Sequence, residues 1–339
     1  PAPGQAPLWI SIEPMSPTTA AAETVRTSSS DLNQTRPVVG ILLKVASALI
    51  FTGMLTLIKY VSERVPVGEI MFARNFVGMV PVLAMLVFRG ELGTAFVTRR
   101  PLGHIGRALV GATAMALWFS ALARIPLPDA TAISFSAPLM TVILAWLFLG
   151  EVVRIYRWTA VMIGLLGIIV ILSPHLTGDV LSDEAAMGAL FAFGAAVFMA
   201  LAAIFVRKLT SSERTSTIVL WFSGTASLLS LLSLPFGWVV PGMTDFLILI
   251  AIGLLGGIGQ AMLTQSYRFA EASTIAPFEY TTLLWASAFG WVFFSEIPTV
   301  EVLLGAAIVI SAGIFVIYRE HRLGLDRTKA QKAGSATRA

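Results

Sequence analysis

The segment AWLFLGE at residues 145–151 has a counterpart in GWVFFSE at residues 290–296. In each, an apolar run with a tryptophan and a phenylalanine is followed by a small residue and a glutamate. A second alignment pairs residues 40–82 with residues 188–230 at a constant offset of 148. Because similarity between two parts of a sequence indicates a repeated structural unit, the chain is predicted to contain two related halves.

The composition indicates the setting in which these halves fold. Of the 339 residues, 56% are apolar and 12% are charged, whereas soluble proteins average roughly 25% charged residues. A helix needs about 20 apolar residues to cross the hydrocarbon core, and buried backbone amides in lipid must bond within the helix. The sequence therefore predicts an all-α integral membrane protein with ten transmembrane helices. The predicted spans are 38–58, 67–88, 103–123, 128–149, 156–173, 186–206, 217–238, 244–267, 273–294 and 299–318.

The lysines and arginines predict the orientation of these spans. With a cytoplasmic N-terminus, 18 of the 23 basic residues fall in inner segments, four of them after the second span. The outer loops hold Lys59, Arg64 and Arg124, and two more, Lys44 and Arg74, lie inside spans. Since cytoplasmic loops carry the excess of positive charge, both termini are predicted to be cytoplasmic, in a bacterial inner membrane.

The domain organisation follows from this orientation. Residues 1–37 are predicted to be a disordered cytoplasmic tail, and residues 319–339 a basic cytoplasmic tail of the same kind. The first repeat spans residues 38–173 and the second residues 186–318, with five helices each. Because five is odd, the second half enters the membrane inverted, so that Glu151 is predicted inside and Glu296 outside.

Several classes of function are disfavoured. The chain has no cysteine and three histidines, which lie far apart in sequence, so we expect neither a metal site nor a cofactor. No cluster of catalytic residues and no nucleotide-binding loop is evident, which argues against an enzyme and against direct ATP coupling. The basic character is assigned to the cytoplasmic side of a membrane protein rather than to nucleic-acid binding.

Inverted repeats recur in secondary transporters, whose substrate site lies near the membrane midplane between the halves. The motif at residues 145–151 resembles the EamA family of the drug/metabolite transporter superfamily. Residues 66–75 are similar to the second-span arginine motif of that family. Residues 276–285 resemble the ninth span of a bacterial subgroup that includes carriers of riboflavin, S-adenosylmethionine or amino acids.

The resemblance implies ten helices in two inverted five-helix halves around a central cavity. One feature departs from symmetry, because the repeat alignment places Phe222 opposite Arg74. The two halves are therefore expected to contribute unequal charge to the cavity.

Charges within the predicted spans are costly and mark candidate functional residues. Arg74 could bind the anionic group of a substrate or form a structural pair with Glu69 or another carboxylate. Glu279 could contact substrate, couple transport to protons through a raised pKa, or form a permanent ion pair with Arg74 or Lys44. Lys44 could also extend its ammonium to the headgroups.

Lys59 and Glu69 lie near the predicted outer end, where Lys59 is also close in sequence to Glu63. The alternatives are a gating pair at the outer mouth and simple anchoring at the interface. Neutral polar and aromatic residues complete the predicted substrate site, although each could instead serve packing. These are Asn75, Trp118, Ser134, Gln260, Tyr280 and Trp285.

Two further residue types are expected to shape the helices. Pro138 and Pro277 each remove a helix hydrogen bond and are expected to bend the fourth and ninth spans. Glycines permit close helix packing. They are Gly164, Gly167, Gly305, Gly313 and the cluster at residues 253–259.

The sequence thus favours an alternating-access carrier of a small organic solute, an amino acid or a related metabolite. The alternatives are efflux of a drug or metabolite, and import of a vitamin or nucleoside-type metabolite such as riboflavin or S-adenosylmethionine. A lipid-modifying enzyme and a passive channel are the competing classes. The expected partners are the small-molecule substrate and the lipid bilayer, with protons as the candidate coupling ion. Direction of transport and oligomeric state, monomer or homodimer, stay open.

Overall fold

The computed structural model describes residues 36–88, 90–150, 152–175, 184–210, 212–270 and 272–336, and in these ranges it is helical and contains no strand. Almost all of the predicted N-terminal tail and Glu151 lie outside the described residues. The described ranges hold thirteen α-helices and three short 3₁₀-helices. The α-helices are α1 Pro37–Val61, α2 Val67–Phe88, α3 Leu92–Ala95, α4 Pro101–Leu122, α5 Leu127–Ser134, α6 Ser136–Leu149, α7 Ile155–Leu172, α8 Glu184–Leu209, α9 Thr215–Leu231, α10 Met243–Phe269, α11 Ala272–Ile275, α12 Thr281–Phe294 and α13 Val300–Ala336.

Eight helical stretches of the described chain are long and apolar enough to cross a membrane. They correspond to the predicted spans one to six, eight and ten, and α5 and α6 count as one stretch. The seventh predicted span, residues 217–238, is too long. Helix α9 ends at Leu231, and a 3₁₀-helix follows at Leu234–Phe236. Pro235 cannot donate a helix hydrogen bond, and Gly237 adopts a left-handed φ of 97°, so the helix stops early.

The fourth and ninth predicted spans are each interrupted. Helix α5 ends at Ser134, and α6 begins at Ser136, two residues before Pro138. The ninth span starts as the short α11, passes through a 3₁₀-helix at Ala276–Tyr280 that contains Pro277, and continues as α12. A proline ring clashes with the carbonyl four residues earlier, which explains both breaks. The expected bends are therefore discontinuities.

The two interrupted spans match in detail. Helices α6 and α12 are both 14 residues long, begin directly after Phe135 and Tyr280, and both end in a left-handed residue. Gly150 has φ 63° and Ser295 has φ 55°. The rings of Phe135 and Tyr280 pack edge to face with centroids 5.1 Å apart, so the two breaks meet inside the bundle.

The main helix contacts recur when each helix of residues 38–173 is replaced by the corresponding helix of residues 186–318. In this correspondence α1, α2, α4, α6 and α7 match α8, α9, α10, α12 and α13. Helix α1 packs on α10 as α4 packs on α8, and α2 packs on α10 as α4 packs on α9. Helix α6 packs on α8 as α12 packs on α1, while the contacts α2–α9 and α7–α13 map onto themselves. This arrangement places α1, α2, α4, α8, α9 and α10 around the centre of the bundle.

Glycines allow the closest of these contacts, as the sequence suggested. A Cβ at Gly167 would lie 2.8 Å from the carbonyl oxygen of Gly305, which joins α7 to α13. A Cβ at Gly257 would lie 2.6 Å from the carbonyl oxygen of Gly78, which joins α10 to α2. Real side chains do not approach backbone so closely, so both crossings depend on the absence of a side chain.

The C-terminal end differs from the prediction of a disordered tail. Helix α13 continues past the predicted end of the last span to Ala336. Residues 319–336 contain three Arg, two Lys, three Ala and two Leu and no proline. These residues have high helix propensity, which accounts for the continuation.

Candidate solute cavity

A cavity of about 690 Å³ lies inside the bundle, between helices of both halves. Its wall comes from residues 44–55 of α1, 74–82 of α2, 107–119 of α4, 199–206 of α8, 218–223 of α9 and 256–263 of α10, with α5 and the ninth span completing it. The cavity extends to Val206 and Thr210 around the end of α8 and to Ile218 at the start of α9, and so lies toward the end of the bundle where α1 begins. We call this the inner end and the opposite end the outer end, following the predicted orientation.

Lys44 and Glu279 form an ion pair at the inner part of the cavity. The Lys44 side chain is 4% exposed, whereas that of Glu279 is 57% exposed. The pair links α1 to the 3₁₀-helix of the ninth span, 235 residues away in sequence. Of the three alternatives for Glu279, the pairing with Lys44 is the one that the structure contains, and the carboxylate still faces the cavity.

Arg74 lines the cavity from α2. Its Nη1 donates a hydrogen bond to Oδ1 of Asn75 over 3.1 Å. The amide of Asn75 in turn donates to the carbonyl oxygen of Met71 over 2.8 Å and to Sδ of Met115 over 3.3 Å. Asn75 is fully buried and does not line the cavity, so it positions Arg74 and does not face a solute directly.

Arg107 is a cavity residue that the sequence did not identify. The charge count placed it among the basic residues after the second span, but it lies in the second turn of α4 and lines the cavity. Its guanidinium carbon lies 4.3 Å from the ring centroid of Phe222. Because a charge within a span needs a partner or water, its depth in the third predicted span was the signal that could have revealed it.

The remaining predicted residues divide into two groups. Trp118, Ser134 and Gln260 line the cavity. Tyr280 and Trp285 do not, because the Tyr280 ring packs on Phe135 and its hydroxyl reaches Gly313 of α13, while Trp285 buries its indole nitrogen elsewhere. Neutral residues that the sequence did not identify also line the cavity, among them Met54, Met115, Met199 and Thr131.

Lys59 closes the outer end with a partner distant in sequence. Its Nζ lies 3.0 Å from Oε1 of Glu296 and donates to the carbonyl oxygens of Leu122 and Ile125 over 3.1 and 2.7 Å. The other carboxylate oxygen of Glu296 accepts from the amide of Leu127 over 2.8 Å. The predicted gating pair would have joined Lys59 to a glutamate close in sequence, and the other alternative was anchoring at the interface. In the structure Lys59 instead pairs with Glu296 of the second repeat region.

Glu69 lies apart from both the cavity and Lys59. Its Oε2 accepts a hydrogen bond from the backbone amide of Val239 over 3.2 Å. It joins the start of α2 to the segment before α10, whereas Arg74 donates its hydrogen bond to Asn75. This residue serves a structural connection at the outer end.

A polar cluster around the carboxylate of Glu213 lies at the inner end, in the segment between α8 and α9. Glu213 accepts hydrogen bonds from the Thr98 hydroxyl over 2.9 Å and from the Arg99 amide over 2.8 Å, and lies 3.9 Å from Nε2 of His104. Burial acts to raise the pKa of Glu213, but these hydrogen bonds and His104 outweigh it and hold the pKa below 4.5. The cluster ties the segment before α4 to the second half.

The comparison with known families agrees with this architecture. The model of the EamA-like transporter family matches residues 38–173 and 186–319. The chain belongs to the EamA-like transporter family. Its multiple apolar helices make it a multi-pass membrane protein, and its relatives are transporters of small metabolites.

Three relatives illustrate the range of solutes. The chain is 28% identical to the S-adenosylmethionine uptake transporter of Rickettsia bellii, over 78% of this chain and 88% of the relative. It is 30% identical to the pseudopaline exporter CntI of Pseudomonas aeruginosa, over 81% and 94%. It is 30% identical to the riboflavin transporter of Rhizobium johnstonii, over 86% and 97%.

A solved crystal structure has the same fold. It superposes with a TM-score of 0.59 at 20% sequence identity and covers 84% of this chain and 98% of its own. At this identity the likeness concerns the fold alone.

Proposed function

We propose that this protein is a secondary active transporter that carries a small organic solute, an amino acid or a related metabolite, across the bacterial inner membrane by alternating access. The observation that carries the proposal is the charged cavity, which lies between two sets of helices whose main contacts correspond to each other. Such a site between inverted repeats can open to either side when one half rocks against the other.

Ten membrane-spanning helices in two inverted halves, with both termini in the cytoplasm, form part of the same proposal. The matching breaks in the fourth and ninth spans support it. The cavity lies toward the inner end, and Lys59 with Glu296 ties the halves together at the outer end. We infer an inward-facing conformation of the carrier.

Direct contact with the solute is assigned to Arg74 and Glu279, with Trp118, Ser134 and Gln260 completing the wall. The methionine side chains are flexible and apolar, and they suit a site that adapts to the solute. Export of a metabolite and import of riboflavin or S-adenosylmethionine remain the alternatives, since relatives with these functions match the chain over nearly their full length.

A ligand screen tests the proposal. Purified protein is heated with single amino acids, riboflavin or S-adenosylmethionine, and any compound that raises the melting temperature is examined by counterflow in liposomes. A carrier gives saturable uptake that is accelerated by unlabelled solute on the opposite side. Uptake that neither saturates nor shows counterflow would instead indicate a passive channel.

Coupling to protons is a separate part of the proposal, with Glu279 as the candidate site. We expect an imposed pH gradient to change the initial rate of uptake by the wild-type protein and to have less effect on Glu279→Gln. Uptake that is indifferent to both the gradient and this substitution would remove proton coupling while leaving the carrier function intact.

A further inference from the structure

The charges that line the cavity do not balance. Among the described residues of the wall, Lys44, Arg74 and Arg107 are cationic, and Glu279 is the one carboxylate. Glu279 is already paired with Lys44. Arginine keeps its charge in proteins, so the two guanidinium groups give the cavity a net positive field.

The environment of Arg107 shows that this charge lacks an acidic partner within the described chain. Its Nε and Nη1 are buried and have no hydrogen-bond partner there. The face of the Phe222 ring stabilises the cation from one side. A buried donor without an acceptor costs free energy, and a ligand with acceptor oxygens would recover that cost.

Arg74 is held by a hydrogen bond, but its charge also lacks an acidic partner within the described chain. Its hydrogen bond to Asn75 uses Nη1 and supplies a neutral acceptor, so its charge is not compensated. Arg74 on α2 and Arg107 on α4 line the same cavity, so their like charges repel each other. An anion bound to both would relieve this repulsion, and guanidinium groups suit carboxylates because they can donate two parallel hydrogen bonds.

We propose that Arg74 and Arg107 form one anion subsite and that the transported solute is an organic acid with a net negative charge. This inference rests on the proposed carrier function and narrows its substrate class. Arg107 makes direct contact with a carboxylate of the solute, and Phe222 holds the guanidinium in place. A cationic solute is disfavoured because Glu279 alone would face it, and Glu279 is shared with Lys44.

A series of three compounds of equal chain length isolates the charge. Glutarate carries two carboxylates, 5-aminopentanoate one carboxylate and one ammonium, and cadaverine two ammonium groups. At neutral pH and matched ionic strength, we expect glutarate to raise the melting temperature of the wild-type protein most and cadaverine least. Sodium chloride at the same ionic strength controls for the effect of salt.

Substitutions locate the effect. Arg107→Gln should weaken the apparent affinity for glutarate roughly tenfold or more. Arg124→Gln is the matched control, because Arg124 also lies over a phenylalanine ring, that of Phe191, but is exposed and does not line the cavity. It should leave glutarate binding unchanged.

A second variant keeps every charge and tests the position of the guanidinium. A Cβ at Gly111 would collide with the Arg107 guanidinium and would lie 2.7 Å from the Phe222 ring. Gly111→Ala should therefore weaken glutarate binding, whereas Gly224→Ala, where a Cβ meets open space, should not. This variant keeps the inference testable should Arg107→Gln fail to fold.

The inference is overturned if glutarate stabilises the wild-type protein no more than it stabilises Arg107→Gln and Gly111→Ala, or if cadaverine stabilises it as strongly as glutarate. The proposed function fails in a distinct way. Glutarate would then bind and depend on Arg107, but no solute of the screen would show counterflow. A carrier that shows counterflow of a cation, unaffected by Arg107→Gln, would retain the proposed function and contradict the inference.

Discussion

At the outer end of the bundle, Lys59 contacts the Glu296 carboxylate and two backbone carbonyls, and Glu296 also binds the Leu127 amide. In the cavity, Arg107 has buried nitrogens with no hydrogen-bond partner in the described chain. Each region contains a cation that is largely shielded from solvent. Compensated charges at the outer end join the halves, whereas uncompensated charges in the cavity leave room for a solute.

The largest effect is expected for Arg74→Ala. Removing a buried cation that binds the anionic group of a ligand costs affinity roughly 30-fold or more. Counterflow of the amino acids that stabilise the protein should therefore fall to near the level of empty liposomes. Arg124→Gln, which removes a cation outside the cavity, should transport normally. If Arg74→Ala and Glu279→Gln both left transport unchanged, the cavity would not be the solute site.

A smaller effect is expected from Glu279→Gln on stability. The substitution leaves the buried Lys44 ammonium without its carboxylate. The cost should be about 1–2 kcal/mol, less than for a fully buried pair because Glu279 is exposed to the cavity. It should appear as a lower melting temperature.

Lys44→Met provides the test of that explanation. Adding it to Glu279→Gln removes the unpaired charge and should recover most of the lost stability. If the double variant were no more stable than Glu279→Gln alone, the ion pair would not be the cause.

The inner-end cluster around Glu213 should give the smallest effect. Its pKa lies below the ordinary value of 4.5, so the ionised carboxylate stabilises the fold at neutral pH, and this contribution is lost as the pH falls below about 4.5. Glu213→Gln should lower the melting temperature by about 1–2 °C at neutral pH. The difference from wild type should shrink only at acidic pH; a difference that persisted well below pH 4.5 would assign the effect to packing.

The sequence predicted the helices well because apolar runs and the bilayer thickness determine them together. The predicted bounds of three spans were less accurate because of proline. Pro138 and Pro277 interrupt the fourth and ninth spans, and Pro235 shortens α9. Hydropathy alone predicts the length of an apolar segment but not whether each of its backbone hydrogen bonds can form. The two halves and the orientation of the termini remain part of the proposal.

The candidate site was predictable only in part. Arg74, Trp118, Ser134, Gln260 and Glu279 line the cavity, because polar groups within spans turn away from lipid.

The ionic partners were predictable for one pair and not for the other. The pairing of Lys44 with Glu279 was among the predicted alternatives, whereas Lys59 binds Glu296, more than 200 residues away in sequence. Sequence proximity favoured Glu63 and Glu69 for Lys59. Arg107 was missed because a basic residue near a helix start is typical of an inner loop, and only the packing of α4 against α9 places it in the cavity.

The claim that the outer end is locked by compensated charges while the cavity opens inward can be measured by side-specific labelling. The chain has no cysteine, so Ser134→Cys introduces a single reporter on the cavity wall. A membrane-impermeant maleimide should label it in inside-out vesicles and hardly at all in intact cells.

Adding Glu296→Gln to this reporter removes the charge that binds Lys59 and should increase labelling from outside several-fold, a bias of about 1 kcal/mol. Glu63→Gln, the same change at an exposed outer position, should not. Equal labelling from both sides without Glu296→Gln, or outer labelling that this substitution leaves unchanged, would contradict the account.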